Sequence, residues 1–226
     1  LLPGKDGFGQ CRRHQFATPD ACARCIHGLG HTSGDLHRLE RALAGVGTSA
    51  YQESLFRAFA DAEAVLTVNP LSAAMIEPYA RHVRVVTAGM DPARFPWPFP
   101  ANRVVHRTDG RLRILFAGLT SEWTKGFAIL REACARLWGM RKDFELVATD
   151  DPPPGMSDPF ARYIGWQSQA DLPAYIVGAD IVAVPAVAQE ALGRTAVEAM
   201  AAGRPVGASR IGGLTAPVAD GAPGLL

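Results

Sequence analysis

The stretch Pro185-Ala-Val-Ala-Gln-Glu190-Ala-Leu-Gly193-Arg194-Thr195-Ala-Val-Glu198-Ala-Met-Ala-Ala-Gly203-Arg-Pro205-Val206 decides how the second half of the chain folds. It follows the apolar run Ile181–Val184, which reads as a buried strand. Gly193 stands where a helix should begin, and the pattern predicts that helix over about 193–202. Backbone N–H groups at such a start are unpaired and favour an anion. Glu190 lies in the loop before the helix, and Glu198 lies about one and a half turns into it. Two carboxylates beside an anion site are poor phosphate ligands but good acceptors for vicinal hydroxyls. A diphosphate flanked by sugar hydroxyls, as in a nucleotide sugar, satisfies the whole set. One Glu near a helix start usually does no more than complement the helix dipole, so the inference rests on the surrounding residues.

Working outward, strands are predicted at 112–117, 144–149, 181–184 and 205–208, with helices at 125–138 and 172–177 between them. Alternating strands and helices at this spacing imply an α/β fold with a doubly wound parallel sheet. Ligands of such sheets bind beyond the carboxyl ends of the strands, which directs attention to the loops after Ala117, Thr149 and Val184. Upstream, residues 64–68 and 83–87 read as strands on either side of a helix opened by Asn69-Pro70, a parallel βαβ unit. Residues 36–61 read mostly helical with a break at Gly45-Val46-Gly47, after which Thr48 or Ser49 is the cap. The proline-rich run Pro96-Trp97-Pro98-Phe99-Pro100 is stiff. It divides the chain into a partial N-terminal domain (1–95), an interdomain segment (96–110) and a C-terminal domain (111–226). The first 33 residues carry little periodicity and are expected to form an irregular, cysteine-rich loop.

The 226 residues carry 23 Lys plus Arg against 22 Asp plus Glu, a balance that argues against a nucleic-acid partner. No run approaches the roughly 20 apolar residues that span a bilayer. Residues 176–188, the best candidate, contain Asp180 and Pro185. The chain starts on Leu1 and stops on Leu225-Leu226 without a closing helix, so we expect a piece cut at both ends.

The segment Glu190 to Gly203 resembles the E-x7-E motif of retaining glycosyltransferases of the GT-B fold, family 4 in particular. Several further stretches, in the family's order, share the resemblance. They are Gly89-Met90-Asp91, Tyr163-Ile-Gly165-Trp166, Ala179-Asp180-Ile181 with Val184-Pro185, Gly203-Arg-Pro205-Val, Gly212-Gly213-Leu214 and Asp220-Gly221-Ala-Pro-Gly224-Leu-Leu. The likeness runs from about Val65 to Leu226. It implies a GT-B-type, Rossmann-like pair of domains, the C-terminal one nearly complete but lacking its last helices. It implies transfer of a hexosyl group from a UDP- or GDP-linked donor to a glycan or lipid-linked acceptor, with retention, in the cytoplasm or at the inner face of a membrane. Glu198 would hold the ribose hydroxyls and Glu190 the transferred sugar near its reacting end. Backbone amides of Ala191, Leu192, Gly193, Arg194 and Thr195 would meet sugar hydroxyls and diphosphate, and Gly165 would help frame the base.

The loop Gly118-Leu119-Thr120-Ser121-Glu122-Trp123-Thr124-Lys125-Gly126 bears on the same ligand. A lysine at a helix start opposes the helix dipole, but beside a diphosphate it stabilises a departing anion. A solvated surface lysine is the plainer alternative. The family commonly has an Arg directly after the glycine, where Leu119 stands here, so one phosphate-binding cation is absent or supplied from elsewhere. Arg194 is a candidate substitute. The chain has no P-loop, no dinucleotide fingerprint and no D-x-D pair, which fits transfer that needs no metal. A non-catalytic nucleotide-sugar-binding paralogue and a GT-B relative such as a nucleotide-sugar epimerase are the other readings. As a piece lacking the family's N-terminal glycine-rich loop, the chain is expected to bind donor weakly at most and not to turn over.

Cys11, Cys22 and Cys25 lie among His14, His27 and His31. Three thiolates with a histidine suit a structural zinc, and free or disulfide-forming thiols are the alternative. Cys134, in an apolar helical pattern, is expected to be a small core residue.

Overall fold

The computed structural model describes residues 2–4, 7–9, 39, 42–45, 48–105, 110–218, 221 and 224–225. The chain forms two compact units, Leu1–Thr87 and Ala88–Leu226.

In the first unit, β1 (Leu2–Gly4) and β2 (Gly7–Gly9) pair antiparallel where an irregular loop was expected. Glycine-rich strands this short carry no periodicity for a sequence reading to catch. Helix α1 (Ser49–Asp61) opens on Thr48, whose hydroxyl accepts from the Tyr51 N–H. The expected βαβ unit is present: β3 (Val65–Thr67) pairs parallel with β4 (Val83–Val85) across α2 (Pro70–Ile76), which Asn69 caps through Ser72 N–H.

The second unit is built on a parallel sheet. Its strands are β5 (Leu112–Phe116), β6 (Phe144–Ala148), β7 (Ala161–Tyr163), β8 (Ile181–Val184), β9 (Val206–Ala208) and β10 (Gly224–Leu225). Their order is β10-β9-β8-β5-β6-β7. Side chains alternate across the sheet, so neighbouring residues feed different cores. Leu115, Val147, Val182 and Val206 pack on one face with Ile176 of α4 (Leu172–Val177) and Ala196 and Ala199 of α5 (Arg194–Ala201). Phe116, Leu146 and Phe144 pack on the other with Phe127 and Cys134 of α3 (Phe127–Met140). Helices on both faces make the sheet doubly wound, the Rossmann-like α/β fold expected of a GT-B-type chain. Cys134 is the core residue anticipated: burial, with Asp158 nearby, pushes its thiol up to about 11.

The sequence placed the domain boundary at 95 and a linker after it; the compact C-terminal unit already begins at Ala88. Phe95 is buried in its core, with Met90 and Phe99 packed against the same cluster. The Val105 N–H donates to the Ala174 carbonyl at 3.3 Å, and the Val105 carbonyl accepts from Arg113 Nη1 at 2.6 Å. The prolines stiffen this segment and Trp97 is 87% exposed, but Phe95, with Phe99 half-buried beside it, anchors the segment to the core.

Arg113 and Glu145 form a buried ion pair at 2.8 Å, and Arg162 adds a contact to Glu145 at 3.2 Å. Burial alone would raise the Glu145 carboxyl; hydrogen bonds and charge from Arg113 and Arg162 outweigh it and hold the carboxyl below its ordinary value. A depressed folded-state value means stability that is complete above the unfolded carboxylate pKa of about 4.3. It is lost as pH falls through the folded value. Glu145→Ala leaves Arg113 buried without its counter-charge and is expected to cost about 3–5 kcal/mol at pH 7. Urea unfolding at pH 7 and pH 3 checks this: the deficit relative to the parent chain should shrink at the lower pH.

Candidate functional site

The strand order fixes where loops diverge. From β5 the chain builds outward through β6 and β7, then returns to the other side of β5 with β8 and β9. The loops leaving the carboxyl ends of β5 and β8 therefore part, and a crevice opens between them.

After β5 the chain passes Gly118 and Leu119 to Thr120. The Thr120 N–H and hydroxyl both donate to Asp150 Oδ2, at 2.7 and 3.1 Å, which ties this loop to the end of β6. A single 3-10 turn, Trp123–Lys125, leads to Gly126, which caps α3 with φ of 74°. The sequence suggests that the helix begins at Lys125; instead Lys125 ends a short turn and the helix begins at Phe127. The turn is fastened to the loop after β8: Val187 N–H donates to the Thr124 carbonyl at 2.9 Å. A Cβ on Gly126 would lie 1.8 Å from the Pro185 carbonyl oxygen, so only glycine fits there.

After β8, the Glu190 carbonyl accepts from the Gly213 N–H at 2.6 Å. Gly193, at φ of 75°, forms the N-cap of α5 without a side-chain hydrogen bond. The Ala196 N–H donates to the Gly193 carbonyl at 2.9 Å, so of the first-turn amides of α5 those of Arg194 and Thr195 are the ones left for a ligand among the described residues. The two fastened loops bring their charged side chains together: Lys125 Nζ donates to Glu190 Oε1 at 2.8 Å, with the side chains 39% and 21% exposed. At this exposure the pair is loosely held, worth about 1 kcal/mol or less.

A cavity of about 240 Å³ lies here. Ala117, Gly118 and Leu119 line it from β5, Thr149 from β6, and Trp166, Gln167 and Gln169 from the chain after β7. Arg194, Thr195 and Glu198 of α5 complete the wall with Lys125 and Glu122. Of the residues predicted from sequence, Lys125, Gly118, Arg194, Thr195 and Glu198 are on the wall. Glu190 joins the cavity through Lys125. Ala191, Leu192 and Gly193 form the connecting loop off the wall, with Leu192 and Gly193 buried. Gly165 is off the wall too; its neighbour Trp166 takes that place, 68% exposed. Leu119 is 40% exposed at the cavity, where a cation was the family expectation. Arg194 is exposed and makes no ion pair among the described residues.

One residue was missed by sequence reasoning. Arg94 Nη1 donates to Glu198 Oε1 at 2.5 Å, and Nη2 donates to the Gln169 carbonyl at 3.2 Å. Glu198 is 6% exposed, so a charge partner was to be expected. Nothing local to Asp91-Pro92-Ala93-Arg94 pointed to a partner 104 positions away.

The cysteine cluster proposed for zinc, Cys11, Cys22 and Cys25, lies outside the described residues. Among the described residues no group of His, Cys, Asp and Glu is arranged to hold a metal ion.

Residues 111–226, more than half of the chain, match the family model described as Glycosyl transferases group 1. The chain is 36% identical over 126 residues to the D-inositol 3-phosphate glycosyltransferase of Corynebacterium kroppenstedtii, covering 56% of this chain and 24% of that enzyme. It is 34% identical over 128 residues to the lipopolysaccharide 1,2-N-acetylglucosaminetransferase of Salmonella typhimurium, covering 49% of this chain and 33% of that one. The chain thus spans about a quarter to a third of the length of these curated relatives. Among solved structures, Anabaena HepE in complex with UDP and glucose superposes with a TM-score of 0.62 at 19% identity, over 78% of this chain and 53% of that one. Sucrose-phosphate synthase from Thermosynechococcus elongatus gives 0.61 at 18% identity, over 100% and 68%. At such identities the likeness is one of fold. Together with the sequence match over residues 111–226, it places this chain in the glycosyl transferases group 1 family.

Proposed function

We propose that this chain carries the donor half-site of a retaining, family 4 glycosyltransferase that moves a hexosyl group from a UDP- or GDP-linked sugar to a glycan or lipid-linked acceptor. One observation carries the proposal: the Lys125–Glu190 pair bridges the crevice at the reversal of strand order, beside the uncapped start of α5 and the buried Glu198. A diphosphate entering there meets the Lys125 ammonium and the α5 amides. It draws Lys125 away from Glu190 and frees that carboxylate for sugar hydroxyls. Glu198 accepts from the ribose diol. As the bond from sugar to phosphate breaks, Lys125 stabilises the charge that develops on the leaving group. The departing diphosphate stays on the face of the oxocarbenium-like centre that it leaves, and the acceptor hydroxyl bonds to the sugar on that same face, giving its proton to the released phosphate oxygen; configuration is retained without a covalent nucleophile. Arg194, which makes no ion pair among the described residues and lines the cavity, would serve as the second cation.

The reading needs no resident cofactor and assigns no nucleic-acid partner. Among the described residues no helix is long and apolar enough to cross a membrane. A lipid-linked acceptor would bring the protein peripherally to the cytoplasmic face of one. Leu119 favours a second reading: an apolar residue on the cavity wall suits a module that binds a nucleotide sugar without transferring it.

Calorimetric titration of the chain with UDP- and GDP-sugars, run beside a transfer assay, tests the proposal. We expect measurable but weak binding of one of them and no turnover by these 226 residues alone. Robust transfer, or no binding of either, would contradict it. Lys125→Met removes a charge-assisted contact worth about 1.5–3 kcal/mol. It should weaken binding of the nucleoside diphosphate by about 10- to 100-fold. Glu190→Ala should weaken binding of the sugar-bearing donor more than that of the free nucleoside diphosphate. Equal losses in the two titrations would remove Glu190 from the sugar subsite.

A further inference from the structure

We propose that Arg94 is a positioning residue that presents Glu198 to the ribose hydroxyls of the donor; the inference rests on the nucleotide-sugar reading above. Arg94 ends a 3-10 turn, Pro92–Arg94, which Asp91 caps through the Ala93 N–H at 2.9 Å. The next residue, Phe95, is 8% exposed in the core of the C-terminal unit. The base of the Arg94 side chain is therefore held from both sides. Its two terminal nitrogens reach different walls of the same cavity, Nη1 to Glu198 on α5 and Nη2 to the Gln169 carbonyl after β7. The guanidinium is planar, so these two contacts fix the plane in which Glu198 Oε1 must lie. Oε2 makes no hydrogen bond among the described residues and belongs to a side chain that lines the cavity. Arg94 thus holds one carboxylate oxygen and leaves the other to accept from hydroxyls.

The arrangement also settles why a carboxylate persists at 6% exposure in a helix otherwise faced with alanine. A buried carboxylate without its partner carries an uncompensated charge. The guanidinium supplies the counter-charge, and a carboxylate oxygen is the acceptor that a diol requires. Arg94 contacts neither the phosphates nor the reacting bond in this scheme, so its effect should be confined to hydroxyl recognition.

The test is titration of the chain and of Arg94→Met and Arg94→Lys with UDP and with 2′,3′-dideoxy-UDP, after an unfolding midpoint for each variant. The parent chain should prefer UDP over the dideoxy nucleotide. Arg94→Met should lose about 10-fold in UDP affinity, the scale of one charge-assisted hydrogen bond. Its affinity for 2′,3′-dideoxy-UDP should change less than about 2-fold, so the preference collapses. Arg94→Lys should keep part of the preference. Equal losses for both nucleotides, or an unchanged preference in Arg94→Met, would overturn the inference and leave the donor reading standing. A parent chain that binds UDP without discriminating it from the dideoxy nucleotide would also overturn the inference. Failure of the parent chain to bind any nucleoside diphosphate would overturn both.

Discussion

The Gly126 backbone lies against the Pro185 carbonyl so closely that a Cβ would stand 1.8 Å from its oxygen. Beside it the Val187 N–H donates to the Thr124 carbonyl. These contacts join the loop after β5 to the loop after β8 at the point where the sheet reverses its order. A parallel sheet sends those loops apart, so nothing in the sheet itself would bring Lys125 within 2.8 Å of Glu190. The backbone junction does so. The further fastening of Glu190 to Gly213 then sets where the loop turns into α5.

Each carboxylate of the E-x7-E pair has a cationic partner, Glu190 in Lys125 and Glu198 in Arg94. The two pairs differ in exposure and so in kind. Lys125–Glu190 is partly solvated and easily exchanged, which suits a group that must turn to an incoming phosphate. Arg94–Glu198 is buried at the Glu198 end and has a second contact to Gln169, which suits a fixed platform. One helix start therefore carries an adjustable carboxylate in its approach and a fixed one within its turns. A donor with a charged middle and hydroxylated flanks has use for both.

The parts of this arrangement that repeat along the chain were legible in the sequence. The apolar runs at β5, β6 and β8, the Gly193 start of α5 and the spacing of Glu190 and Glu198 all declare themselves within a few residues. What depends on the sheet order did not. Arg94 acquires meaning only when α5 is packed over the 88–105 segment, and the prolines there mimic a linker although Phe95 is core. β7 is three residues long and only partly buried, too short for an alternating pattern, yet the chain leaving it supplies Trp166, Gln167 and Gln169 to the cavity. Lys125 looks like a helix start in the sequence because the pattern cannot tell a single 3-10 turn from the first turn of the helix that follows. The pairing of Lys125 with Glu190 is likewise invisible in the sequence, since it joins residues 65 positions apart through two loops that only the sheet order brings together.

The most direct measurement of the central claim is an experimental structure of the chain with UDP bound. The account predicts the diphosphate between Gly118 and the first turn of α5, the ribose hydroxyls on Glu198, and Lys125 Nζ moved from Glu190 to a phosphate oxygen. A nucleotide bound outside the crevice, or one bound within it while the Lys125–Glu190 pair remains closed, would contradict it.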